Sequence, residues 1–200
     1  MMEDRYRSII TEAQAVLREK ASRFIAIAFP IRDQDEFRER VDAIAKEHHS
    51  SRHVCYAWVI GDAGEQNRSN DAGEPAGTAG KPILNRILSL QLTYTAVVVV
   101  RYFGGTLLGK AGLIKAYGEA AQLALEQAQI VARVVLSKID ITCTHAQFET
   151  IKREVIAMEG EVVKSEFAAV VNAVIAVPRS KVNDCVERWR ARGIEVKSES

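Results

Sequence analysis

At 200 residues the chain suits one large domain or two small ones. Its apolar content of 48% and formal net charge of +1 describe a folded globular protein with no general attraction to nucleic acid or membrane, so any such attraction is local. No apolar run, Ala96 to Val100 included, approaches the length needed to span a bilayer. The opening MMEDRYRS is no secretory signal, and Cys55, Cys143 and Cys185 lack any C-x-x-C spacing, so a cytoplasmic protein with reduced thiols is expected.

Residues 5 to 29 carry apolar, β-branched runs ending in SRFIAIAFP, which predict two or three strands stopped by Pro30. From Asp33 to Glu47, Phe37, Val41, Ile44 and Ala45 fall on one face of a helix, and Asp33 with Glu36 three residues on predicts a capping box. VCYAWVI, 54 to 60, reads as a buried strand. The stretch 61 to 82, GDAGEQNRSNDAGEPAGTAGKP, is rich in glycine, almost free of large apolar side chains, and reads as loop. Pro82 suits the first turn of a helix containing Ile83, Leu84, Ile87 and Leu88.

TYTAVVVVRYF, 93 to 103, is apolar on both faces at its centre, as a middle strand of a covered sheet is. Lys110 to Gln129 predicts a helix with Leu113, Ile114, Tyr117, Ala121, Ala124 and Leu125 inward. From Arg133 the pattern becomes VVLSKIDITC as strand, THAQFETIKREVIAM as helix with Thr144 and Gln147 as a capping box, and then EVVKSEF and AAVVNAVIAVP as strands. SKVNDCVERWRARG follows as a helix with Val182, Val186 and Trp189 inward and Gly193 as its stop, and IEVKS is a last strand. This βαββαβ order is the ferredoxin-like plan and places a domain boundary near 131 to 133.

Gly104-x-x-x-x-Gly109-Lys110 follows a strand and opens a helix, much as a P-loop does. Ala111 stands where a P-loop needs a hydroxyl for magnesium, so an NTPase is not the reading. Free backbone N–H groups at a helix start still favour an anion. Between Arg68 and Lys115 six basic residues (Arg68, Lys81, Arg86, Arg101, Lys110, Lys115) meet two acids (Asp71, Glu74), a local excess suited to phosphates. Tyr102 and Phe103 could stack on bases or simply pack against a helix.

Other constellations are weaker. His53 and Cys55, two apart on a strand, could form a nucleophile pair, although a thiol there is more often a small core residue. His48, His49, His53 and Cys55 match no standard zinc spacing. Asp71 and Glu74 could act as acid and base, or could cap turns and pair with Arg101. Arg188, Arg190 and Arg192 read as a solvated helix face that could also meet RNA.

SRFIA, RHVCYAW, NDAGEPAGTAGKPIL and VVVVRYFGGTLLGKAGLIKAYGEAA, in that order and spacing, resemble the YigZ/IMPACT family over residues 20 to 125. The motif residues are Asp71, Gly73, Glu74, Pro75, Gly77, Thr78, Gly80, Pro82, Arg101, Tyr102, Phe103, Gly104, Gly105, Gly109, Gly112 and Tyr117. The resemblance implies an α+β protein with two parts. Residues 1 to 132 would resemble the second domain of a ribosomal small-subunit protein, and residues 133 to 200 a ferredoxin-like domain similar to the last domain of elongation factor G. Eukaryotic members regulate translation by competing for a coactivator of an initiation-factor kinase. They do so through an additional N-terminal domain that this sequence does not include, so that mechanism is not expected here.

The expectation is a non-enzymatic RNA- or ribosome-binding protein of translation or its regulation, with no cofactor and no metal. Arg68, Lys81, Arg101, Gly104, Gly105, Gly109, Lys110 and Gly112 would hold phosphates. The alternatives are an enzyme on a small phosphorylated or anionic ligand, with Asp71 and Glu74 opposite Lys110, and a module that binds a translation-related protein through the ferredoxin-like sheet.

Overall fold

Apolar side chains on both faces of one strand require a packed layer on each side. The first part of the chain is built this way. A computed structural model describes residues 4–199 and shows, in order, β1 (Arg5–Ile9), β2 (Ala13–Glu19), β3 (Ser22–Pro30), α1 (Gln34–Glu47), β4 (His53–Ile60), β5 (Gln66–Asn70), α2 (Gly80–Ser89), β6 (Thr95–Tyr102), α3 (Gly109–Gln127) and β7 (Ile130–Val134). β6 lies at the centre of a five-stranded sheet of order β2-β3-β6-β4-β5 with antiparallel neighbours throughout. Val97 and Val99 of β6 pack under α2 and α3 with Ile83, Ile87, Tyr117 and Leu125. Ala96, Val98 and Val100 face the other way, toward α1, with Phe37, Ile44 and Trp58. The small residues Ala116, Ala120, Ala121 and Ala124 are buried on the inner side of α3, which lets the helix settle close to the sheet.

The second part follows the βαββαβ order: β8 (Leu136–Cys143), α4 (His145–Ala157), β9 (Glu161–Phe167), β10 (Val171–Pro178), α5 (Val182–Ala191) and β11 (Glu195–Glu199). Its sheet runs β11-β8-β10-β9, and its core gathers Ile139, Ile141, Phe148, Ile151, Ile175 and Trp189. The chain is thus α+β throughout and divides into two units, Tyr6–Arg133 and Val134–Ser200 with Met1–Arg5. Asp4 and Arg5 join the second unit because Asp4 accepts the Ser180 N–H at 2.8 Å and Arg5 pairs with Glu159. No helix among the described residues is long and apolar enough to cross a membrane.

Several local expectations need correction. β5 lies inside the stretch read as loop. Its sequence QNRSN has no apolar alternation because it is an outer strand, exposed along most of its length, held by backbone pairing to β4 from Tyr56↔Asn70 to Ile60↔Gln66. β7, at the expected boundary, pairs with β1. Ile114, expected inward, is exposed. At α1 the capping box is only half made. The Asp33 carboxylate accepts the N–H groups of Asp35 and Glu36, whereas Glu36 accepts from the backbone and side chain of Arg32.

The box at α4 is complete: Thr144 accepts the Gln147 N–H, and Gln147 accepts the Thr144 N–H at 2.9 Å. Thr144→Ala should therefore cost about 1 kcal/mol, the usual worth of an N-cap side chain. Urea unfolding followed by Trp189 fluorescence would report it as a lowered midpoint.

Candidate nucleic-acid interface

Asp71 organises the glycine-rich motif. Its carboxylate accepts three backbone N–H groups, from Gly77 at 2.8 Å, Ala79 at 2.9 Å and Gly80 at 2.8 Å, so it closes the loop and caps the start of α2. Burial pushes its pKa up, but the three N–H donors outweigh this and hold the carboxyl below the ordinary range. Gly80 must be glycine: a Cβ there would lie 2.6 Å from the Asn70 backbone nitrogen. The loop also receives His53, whose Nδ1 lies 2.9 Å from the Ala72 carbonyl, and Cys55, whose thiol donates to the Asp71 carbonyl at 3.0 Å. Cys55 is fully buried in the core, and that burial pushes its thiol up to about 12, away from the thiolate a nucleophile needs. Among the described residues no three His, Cys, Asp or Glu side chains gather as a metal site.

Glu74 is turned inward. Its Oε1 accepts from Arg101 Nη1 at 2.7 Å and from the Tyr117 hydroxyl at 2.8 Å. The Arg101 and Glu74 side chains are 7% and 4% exposed, so this is an interior ion pair. Burial, then the neighbouring Cys55 and Glu74, push the Tyr117 hydroxyl far above its ordinary value, so it serves as a neutral donor. The Arg101 guanidinium lies over the rings of Phe24 at 5.5 Å and Phe103 at 5.4 Å, and its Nε has no hydrogen-bond partner. Arg101 was expected to hold a phosphate; its charge is instead met inside, because a buried charge must be paired where it lies. Asp71 and Glu74 are likewise committed to the fold, so they do not form an acid–base pair opposite Lys110.

The other expected anion ligands are dispersed. Arg68 is exposed on β5 opposite Trp58, on the α1 side of the sheet, in a groove with Phe37 and Tyr56. Lys81 and Lys110 are exposed in the first turns of α2 and α3, the helices that cover the opposite side. Gly104 packs against the Ala21 backbone, where a Cβ would not fit, and Gly112 lies against Leu108. Gly105 and Gly109 have φ of +88° and +69° in open space and shape the exposed turn that carries Leu107. Arg188, Arg190 and Arg192 are exposed, and Arg192 pairs with Glu154.

What the sequence did not reveal is a row across three strands, with arginines on two of them and a tyrosine on the third. The β2–β3 register sets Arg18 opposite Arg23, and the β3–β6 register sets Arg23 opposite Tyr102. Both arginines are exposed, and Lys20 is exposed at the turn between their strands with φ of 44°. The Arg23 guanidinium lies 4.7 Å from the Tyr102 ring centre, and the Tyr102 hydroxyl lies 2.9 Å from His48 Nδ1. Glu19, the acid within the hairpin, alternates to the opposite face of β2. Like charges directly opposite on adjacent strands repel. A phosphate placed between Arg18 and Arg23 relieves that repulsion, and the hydrogen-bonding fork of each guanidinium matches its oxygens.

Two outcomes test the geometry. Glu74→Ala should cost about 3–5 kcal/mol by leaving Arg101 buried and unpaired, and adding Arg101→Met should restore part of it; thermal unfolding of the four members of that double-mutant cycle decides. For Asp71 the lowered folded pKa stabilises the protein above the ordinary aspartate value of about 3.9. That stabilisation is lost as pH falls through the folded value. Asp71→Asn should therefore be less stable than the parent at neutral pH, and the gap should close in acid; a gap independent of pH would contradict this.

Comparison with known proteins places these residues in a family context. Residues 20–125 match the Impact N-terminal domain. The IMPACT family member YigZ of Escherichia coli is 36% identical over 165 residues, covering 82% of this chain and 81% of that one. The family member YvyE of Bacillus subtilis is 36% identical over 133 residues, or 66% of this chain and 61% of that one. A solved structure described as a crystal structure of a hypothetical protein is similar at a TM-score of 0.72, with 30% identity and 98% of both chains covered. The motif that folds around Asp71 and joins Glu74 to Arg101 lies wholly within the matched residues, and the chain belongs to the IMPACT family.

Proposed function

We propose that this IMPACT family protein binds RNA in the cytoplasm, with ribosomal RNA as the source, and acts in translation or its regulation. The observation that carries this reading is the row of exposed Arg18 and Arg23 beside half-buried Tyr102, with exposed Lys20 at its end. A protein of net charge +1 has little general affinity for a polyanion, so three cations on one hairpin, with the hairpin's carboxylate on the other face, mark where a phosphate chain would lie. Lys110, exposed beside the glycine turn, starts the helix that covers the other side of the sheet and does not belong to this row. The translational setting is supported by the regulatory role of the family's eukaryotic members. It is supported also by the resemblance of the two halves to a ribosomal-protein domain and an elongation-factor domain, which are analogies of fold. The enzyme alternative loses its support because both loop carboxylates are consumed by internal bonds.

Co-sedimentation with ribosomes at low and raised salt tests the proposal. The parent protein should pellet at low salt and be released as salt rises. Arg18→Glu/Arg23→Glu should stay in solution, and Arg68→Glu, on the outer strand, should pellet like the parent. Pelleting of the double variant at the parental level would refute the assignment of the row.

A further inference from the structure

The row does not stop at Tyr102. β4 pairs with β6 as far as His53↔Arg101, and the same register carried one residue further sets Arg52 beside Tyr102. The chain stays alongside β6 there, because the Ser51 hydroxyl donates to the Arg101 carbonyl at 3.1 Å. His53 turns toward the α2 side, where its Nδ1 lies 2.9 Å from the Ala72 carbonyl, and Val54 packs on the α1 side. Alternation along the strand therefore sends Arg52 to the α1 side, which is also the side of Arg23 and Tyr102. Arg52 is exposed and makes no ion pair among the described residues, whereas Arg38 and Arg40 of α1 are paired with Asp35 and Glu12. Arg18, Arg23, Tyr102 and Arg52 thus cross four neighbouring segments of the sheet, about 14 Å at the usual strand spacing, which is more than a single phosphate can bridge.

We propose that this row binds the backbone of helical RNA, with Arg52 as a further phosphate ligand and no base read. This rests on the RNA-binding reading above. Tyr102 is the aromatic side chain of the row, and it is already engaged. The Arg23 guanidinium lies 4.7 Å from its ring centre, its hydroxyl is 2.9 Å from His48 Nδ1, and the Tyr102 and His48 rings stand 6.0 Å apart in a T-shaped arrangement. The exposed apolar neighbour on the same side of β2, Val16, has no flat face for a base. An unstacked strand would find phosphate ligands here but no platform for its bases. The row also has no amide or carboxylate to read base edges. An RNA helix keeps its bases stacked inside and presents phosphates and 2′-hydroxyls outside, which is what a row of arginines across a sheet can hold. Sheet and helix are both rigid before they meet, so a helix loses less freedom on binding than a flexible strand does.

Fluorescence anisotropy with two labelled RNA duplexes of unrelated sequence, and an unstructured strand of the same length, tests this. The parent protein should bind the two duplexes equally and the unstructured strand more weakly. Arg52→Ala should reduce the slope of log affinity against log salt by about 0.9, one phosphate contact at the duplex value. It should leave the unfolding midpoint unchanged, and Arg52→Lys should keep the parental slope. A parental slope in Arg52→Ala, while Arg18→Glu/Arg23→Glu still abolishes binding, would overturn the extension of the row to Arg52. Equal or tighter binding of the unstructured strand, or a clear preference between the two duplexes, would overturn the recognition of helical backbone and leave RNA binding intact. No binding of any of the three RNAs by the parent protein would overturn both.

Discussion

A charge buried in the interior must find its partner within the fold, and in this protein that requirement is met by Arg101 and Glu74. The pair joins three segments distant in sequence: the central strand β6, the glycine-rich loop before α2, and α3 through Tyr117. Hydrophobic packing of Ile83 and Ile87 of α2, and of Leu125 and the alanines of α3, is non-directional. A carboxylate that must meet one guanidinium and one hydroxyl allows far fewer arrangements. The remaining motif residues serve this placement. Asp71 gathers three N–H groups so that the loop turns, and Gly80 and Gly104 let backbone pass backbone where a side chain would not fit.

The same interaction shapes the outer surface. Arg101 is spent on Glu74 and on two aromatic faces, so it adds no charge to the surface, and the β2–β3 hairpin supplies exposed cations at this end of the sheet. The motif and the candidate interface therefore divide the work. The motif builds a rigid end to the central strand, and the hairpin, pinned to it through Ser22 and Gly104, supplies cations to solvent. This division explains how a chain of almost balanced charge can present a local cluster of exposed cations.

Much of the fold was legible from the sequence, for local reasons. β6 announced itself as central because TAVVVV is apolar on both faces, and the capping box at Thr144 and Gln147 is a four-residue pattern that completes itself. β5 was illegible because an outer strand of polar residues carries no periodic signal; its partner strand defines it. The turn-capping role of Asp71 and the pairing of Glu74 with Arg101 stood among the sequence alternatives, but composition cannot reveal that Arg101 is interior, so it was also counted with the surface cations. Arg18 and Arg23 escaped notice because their opposition depends on hairpin register, and their closeness to Tyr102 depends on β3 and β6 being neighbours. Neither relation follows from spacing along the chain.

The account is tested most directly by chemical-shift mapping of the isotopically labelled protein during titration with an RNA duplex. Perturbations concentrated at residues 18 to 23, 52 and 102, growing in together, are the predicted result. Perturbations confined to the second unit, or centred on Arg68 and the outer strand, would contradict it.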